Sequence, residues 1–131
     1  MIFIDSNVPM YLVGAEHPNK GAGQRALERC IAANERMVTS AGVVQEILHR
    51  YAAIGRLDAI EPAVRALLGI VDEVYPIELA DVERAKDVLL GGVRLSARDA
   101  LHVAVMKRHG VERIMTFDAG FDAVSWIERV I

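Results

Sequence analysis

The chain opens Met1-Ile2-Phe3-Ile4-Asp5-Ser6-Asn7. Ile2 to Ile4 is apolar without alternation. A strand with one wet face would alternate, so this run predicts a central strand buried on both faces. It should end at Asp5. Ser6 and Asn7 are helix-starting residues, and Pro9 sits where a first-turn proline is tolerated, so a short helix is expected from near Asn7. The same strand-then-helix pattern repeats along the chain. Met37-Val38-Thr39 reads as a strand, and Ser40 caps a helix to about Ile54 that Gly55 ends. Leu57 to Ile70 reads as a helix and Val74 to Ile77 as a strand. Leu79 to Leu90 is helical up to Gly91-Gly92, and Ser96 to His109 up to Gly110. Arg113 to Phe117 and Ile127 to Ile131 complete the strands. Gly14 to Gly23 reads as a loop before a helix over Gln24 to Ala33. Alternating strands and helices predict an α/β fold with a largely parallel sheet.

The 131 residues amount to one domain, 1–131, and 53% hydrophobic content is enough to build a core. A net charge of −3 argues against bulk electrostatic coating of nucleic acid. The single cysteine, Cys30, excludes an internal disulfide and a thiolate metal cage, and fits a reducing compartment. The N-terminus has no positive region, and no apolar run approaches the ~20 residues that span a bilayer. These features predict a cytoplasmic protein. Chemistry must then come from oxygen and nitrogen groups. No phosphate-binding glycine loop, nucleophile elbow or H-E-x-x-H pair is present. A D-x-D phosphatase would need an acid where this chain has Asn7.

In parallel α/β sheets ligands gather beyond the carboxyl ends of strands. That rule singles out Asp5 and Asp118. Asp5 could serve only as a cap, but Ser6 and Asn7 are present for that. Asp118 begins Asp118-Ala119-Gly120, which also has turn chemistry. Glu46 falls just past the apolar arc made by Val43, Ile47, Tyr51 and their neighbours; it can lean over a buried site, face solvent or pair with Arg50. Asp99 lies in the first turn of the apolar segment Ser96 to Met106. Ser96-x-x-Asp99 resembles a capping box, yet a buried acid is costly without a cation. Asp122 is a weaker accessory candidate. His102, on the same helix, reads as a core or site-edge histidine rather than a ligand. Widely separated acids at the ends of elements can converge, and such a cluster persists when a divalent cation occupies it. All-oxygen ligands favour Mg²⁺ or Mn²⁺, which points to phosphoryl chemistry.

Asp5-Ser6-Asn7 after an apolar strand, the helical Glu46, Ala97-Arg98-Asp99-Ala100-Leu101-His102-Val103-Ala104, and Met115-Thr116-Phe117-Asp118-Ala119-Gly120-Phe121 together resemble the PIN domain. In particular they resemble the VapC-type ribonuclease toxins of toxin–antitoxin pairs. The resemblance covers nearly the whole chain. It implies a PIN-like three-layer α/β/α sandwich with a mostly parallel sheet of about five strands. It implies Mg²⁺- or Mn²⁺-dependent endonucleolytic cleavage of RNA, with in-line attack leaving 5′-phosphate and 3′-hydroxyl ends. Carried over by position, Asp5, Glu46, Asp99 and Asp118 form the acidic quartet, with Asp5, Asp99 and Asp118 toward the metal. Thr116 matches the family's hydroxyl residue near the site, and Asn7 its small polar residue after the first acid. Gly120 departs from the pattern, since many members carry a second charged residue there.

The resemblance also implies a cognate antitoxin and toxin homodimers. A groove near Val8 to Val13 and Gln24 to Ile31 is the expected antitoxin seat. Arg50, Arg94, Arg98, Lys107, Arg108 and Arg113 are candidates for a basic rim, with Lys107 and Arg108 reading better as ordinary residues near a helix C-terminus. Two alternatives stand beside the toxin: a PIN nuclease of RNA maturation or decay, and a catalytically silent PIN-like binding module.

Overall fold

A computed structural model describes residues 1–131. The strands are β1 (Ile2–Ile4), β2 (Met37–Ser40), β3 (Glu73–Tyr75), β4 (Arg113–Met115) and β5 (Glu128–Arg129). The helices are α1 (Asn7–Val13), α2 (Pro18–Ala32), α3 (Ala41–Ala53), α4 (Ile60–Ile70), α5 (Leu79–Leu90) and α6 (Ala97–Arg108). All five strands are parallel, in the order β3-β2-β1-β4-β5. The apolar run at the start of the chain is the middle strand, and Ile2, Phe3 and Ile4 are fully buried. Replacing Phe3 by Ala should cost about 3–5 kcal/mol.

From β1 the chain steps outward to β2 and β3, then returns past β1 to β4 and β5. Right-handed crossovers therefore put α1 to α4 on one face and α5 with α6 on the other. The packing agrees: α1 lies against α2 and α4, and α5 against α6. The reversal between β1 and β4 is a topological switch point, where a crevice opens at the carboxyl ends of the strands. Asp5 extends the ladder by one bond, its N–H donating to the Met115 carbonyl at 3.1 Å. Its side chain thus begins where the sheet stops.

On the other face, Arg108 ties α6 to α5 by donating to both oxygens of buried Asp81, at 2.7 and 2.9 Å, and to the Pro76 carbonyl. Lys107 lies over the Trp126 ring, and Arg113 pairs with Glu35 and Glu128. These three cations are therefore occupied within the fold.

Several element boundaries differ from the sequence reading: β4 stops at Met115 short of Phe117, β5 covers only Glu128–Arg129 of the expected Ile127 to Ile131, and three further differences have local causes. The expected loop over Gly14 to Gly23 is largely helix. Pro18 sits at the first helical position, and His17 Nδ1 accepts the Asn19 N–H at 3.0 Å, so α2 starts there and runs through Gly21 and Gly23. Gly23 is packed against Phe117, whose ring would lie 3.5 Å from an added Cβ. The expected helix over Leu57 to Ile70 begins as a 3-10 turn, Leu57–Ala59, before α4. The strand expected to run to Ile77 stops at Tyr75, because Pro76 has no N–H to continue the ladder. No helix is long and apolar enough to cross a membrane.

Candidate active site

Asp5 is only 3% exposed and is held from two sides. The Ser6 N–H donates to Oδ1 at 2.8 Å, and Thr116 Oγ1 donates to Oδ2 at 2.7 Å. Thr116 is the residue after β4, next to β1 in the sheet, so the hydroxyl reaches Asp5 across the switch point. Asn7 Nδ2 donates to Thr116 Oγ1 at 3.0 Å, and Asn7 Oδ1 accepts the Phe117 N–H at 3.3 Å. Asn7 is thus a clasp between the ends of β1 and β4 rather than a helix cap.

Glu46, on α3, is 8% exposed and also turns inward. His102 Nε2 lies 3.1 Å from its Oε1 and 3.9 Å from Asp5 Oδ1. Arg50, one turn further along α3, and Arg98, on α6, approach Glu46 Oε2 at 4.0 and 3.9 Å. Asp99 and His102 are three residues apart on α6, a spacing that places both on one helix face. Ser96 Oγ accepts the Asp99 N–H at 3.1 Å, but the Asp99 carboxylate makes no return bond to the cap. That carboxylate is left to the pocket.

The charges report on each other. Burial, and after it the neighbouring Asp5, Asp118 and Glu46, push the Asp99 carboxyl from its ordinary 3.8 up to about 6, with His102 acting against them. Burial likewise pushes Asp5 up, helped by Glu46, against the pull of His102 and the Thr116 hydrogen bond. For Glu46 burial works upward, yet the His102 hydrogen bond and the nearby Arg50 outweigh it and hold the carboxyl below its usual range. Without a cation the site strains against its own ionisation.

Of the residues singled out in the sequence, Asp5 and Glu46 meet, with ligand atoms within 4.8 Å of each other, and Asp99 is near enough for both charges to act on it. Asp118 is exposed at its edge, with Oδ1 accepting the Gly120 N–H at 2.8 Å, so the turn chemistry is real while its charge still reaches Asp99. Asp122 instead engages Arg129 through two hydrogen bonds, at 3.1 and 3.2 Å, on the surface. The tightest set is Asp5, Glu46 and His102, one ligand atom from each lying within 4.8 Å of the others. His102 was the residue that sequence reasoning left at the margin. Its signal was the i, i+3 spacing from Asp99 on a helix that had to be buried. The carboxylate oxygens of Asp5, Glu46 and Asp99, with no thiolate near, fit a hard divalent cation.

The chain matches the PIN domain family over residues 2–127. It is 58% identical to ribonuclease VapC13 of Mycobacterium tuberculosis over 130 residues, 99% of each chain. The chain belongs to the PIN-domain family, among the VapC ribonucleases. Ribonuclease VapC23 of the same organism is 42% identical over 118 residues, 90% of this chain and 93% of the relative. The crystal structure of VapC20 from M. tuberculosis, described as a toxin that cleaves the sarcin-ricin loop, matches with a TM-score of 0.80. It covers 98% of each chain at 24% identity, which speaks to fold.

Proposed function

We propose that this chain is a divalent-metal-dependent endoribonuclease and the toxin of a toxin–antitoxin pair, acting in the cytoplasm, with residues 1–131 as one catalytic domain. What supports the reading is the buried pair Asp5 and Glu46, with ligand atoms within 4.8 Å of each other, together with Asp99, which burial and these acidic neighbours push up to about 6. A cluster so costly to ionise is explained by a bound cation.

Asp5 and Asp99 would hold Mg²⁺ or Mn²⁺, with Asp118 and Glu46 as further ligands or partners through water. A divalent ion supplies Lewis-acid chemistry there, acidifying water and offsetting negative charge that builds on a phosphodiester. Thr116 and Ser6 fix the rotamer of Asp5, and Asn7 fixes Thr116, so the carboxylate needs little rearrangement to act. Arg50 and Arg98 stand at the mouth beside Glu46, and Arg94 is exposed nearby in sequence; they form the rim that receives RNA phosphates. The water oxygen bonds to phosphorus as the P–O3′ bond breaks, the 3′ oxygen takes up a proton, and the products carry 5′-phosphate and 3′-hydroxyl ends.

A cleft of about 390 Å³ lies beside the acids, lined by Met10, Tyr11, His17 and Tyr51, and shares Asn7 and Arg50 with them. An antitoxin segment seated there would block RNA at the same time. On the opposite face, Leu79, Val82 and Leu90 are exposed along α5 next to Leu101 of α6, a surface suited to a second copy of the chain.

The test is cleavage of RNA by the purified protein with Mg²⁺ or Mn²⁺, then with EDTA. Cleavage should require the ion and should vanish in Asp5→Asn and Asp99→Asn proteins that still fold. Wild-type rates from either variant would defeat the assignment.

A further inference from the structure

His102 is fully buried, sits among the acids, and has no part in the chemistry above. The geometry points to His102 as a positioning residue: its Nε2–H is the donor that aims Glu46 into the site, and it stays outside the metal's ligand set. The inference rests on the metal-dependent reading just given.

As a carboxylate Glu46 can only accept, so the hydrogen in the buried 3.1 Å contact lies on His102 Nε2. The other ring nitrogen, Nδ1, is buried and has no hydrogen-bond partner. As a bare nitrogen this is tolerable. As an N–H it would be a buried donor without an acceptor, which is the more expensive orphan. Ligation through Nε2 would force that outcome, because the ring's one proton would have to move to Nδ1. Metal-ligating histidines ordinarily rest their second nitrogen on a carboxylate or carbonyl, and His102 has no such support. The ring is braced instead by Phe3, their centroids 5.8 Å apart. Phe3 is itself locked in the central strand, so the donor's place is set by the sheet. Glu46 then has Oε1 pinned by His102 and Oε2 facing Arg50 and Arg98. A ligand-set histidine and a donor histidine occupy the same spot and differ in which nitrogen carries hydrogen.

Long-range ¹H–¹⁵N correlation spectra of the wild-type protein read that difference directly. The proton should be on Nε2 without metal and remain there at saturating Mg²⁺. Its transfer to Nδ1 on adding Mg²⁺ would overturn the proposal. Variants give a second readout, Mn²⁺ affinity by calorimetry. Glutamine carries an N–H donor about as far along its side chain as Nε2, so His102→Gln should stay within about threefold of wild type, while His102→Leu should bind about 10–100-fold more weakly. Equal weakening in both variants, or wild-type affinity in His102→Leu, would refute the donor role. Should His102→Leu fail to fold, the wild-type spectra and His102→Gln decide. No Mg²⁺ binding by wild type at all would instead defeat the metal reading, and the Nε2–H assignment would then be judged on the metal-free spectrum.

Discussion

Asp99→Asn should make the metal-free protein more stable while it destroys cleavage. The Asp99 carboxyl rises from 3.8 to about 6 in the folded state, first through burial and then through Asp5, Asp118 and Glu46. Two units at about 1.4 kcal/mol each give ~3 kcal/mol, and solvent screening of this partly exposed group reduces that to roughly 1–2 kcal/mol. The sign follows from proton linkage. A carboxyl raised on folding binds its proton more tightly in the native state. Its contribution is fully present below the unfolded value near 3.8 and is lost as pH rises through about 6. At pH 7.5 the native state bears the whole cost of the charge, and asparagine removes it. The Ser96 cap is unaffected, because it receives the backbone N–H of residue 99. Loss of a favourable negative charge at the α6 N-terminus takes back about 0.3–1 kcal/mol. A net gain near 1 kcal/mol corresponds to a melting midpoint about 4 °C higher. The assay is urea or thermal unfolding of both proteins in EDTA at pH 7.5 and pH 4. The variant should lead at pH 7.5, and the lead should shrink or reverse at pH 4. Added Mg²⁺ should stabilise wild type and leave the variant nearly unmoved. A variant less stable than wild type at pH 7.5 in EDTA, or a gap independent of pH, would refute the reasoning.

Three other predictions concern a support of the site, the tie between α5 and α6, and the exposed surface of α5. Thr116→Val keeps the shape but removes the 2.7 Å donor to Asp5 and strands Asn7, so unfolding in urea should show a loss of about 1–3 kcal/mol alongside slower cleavage. Arg108→Ala leaves buried Asp81 with only the Glu78 N–H as a partner, at a cost of about 1–3 kcal/mol in the same assay. Since Arg108 holds Asp81 below its ordinary value, the pair's contribution is present above about pH 4 and falls away as pH drops below it, so the variant's deficit should narrow in acid. Leu90→Glu with Val82→Glu should give a monomer by light scattering if the α5 surface joins two copies, and an unchanged mass would remove that surface from consideration.

The fold was legible because its decisive element is local. Three apolar residues without alternation, closed by helix-starting residues, suit a doubly covered strand, and the structure puts Ile2 to Ile4 at the centre of the sheet. Boundaries were harder where two local signals compete. His17-Pro18-Asn19-Lys20-Gly21 has the composition of a turn, but the same proline and histidine also start a helix, and packing on Phe117 settles the matter in favour of α2. Strand ends and helix faces allowed Asp5, Glu46 and Asp99 to converge, but they equally allowed Glu46 to face solvent and Asp99 to serve as a capping residue. The resemblance to the PIN domain supplied the set as a set. His102 was legible as a core or site-edge histidine, but its partner was not, because its contact with Glu46 joins α6 to α3 across residues far apart in the chain. The flanking arginines illustrate the same limit. Arg50 is a visible i+4 partner of Glu46, whereas Arg98 reaches Glu46 only once α3 and α6 are packed together.

The most direct test of the whole account is a crystal soaked with Mn²⁺ and measured at the manganese absorption edge. The account predicts an anomalous peak between the carboxylates of Asp5 and Asp99, lost in Asp5→Asn. A peak elsewhere on the surface, or none at Mn²⁺ concentrations at which the same protein cuts RNA, would contradict it.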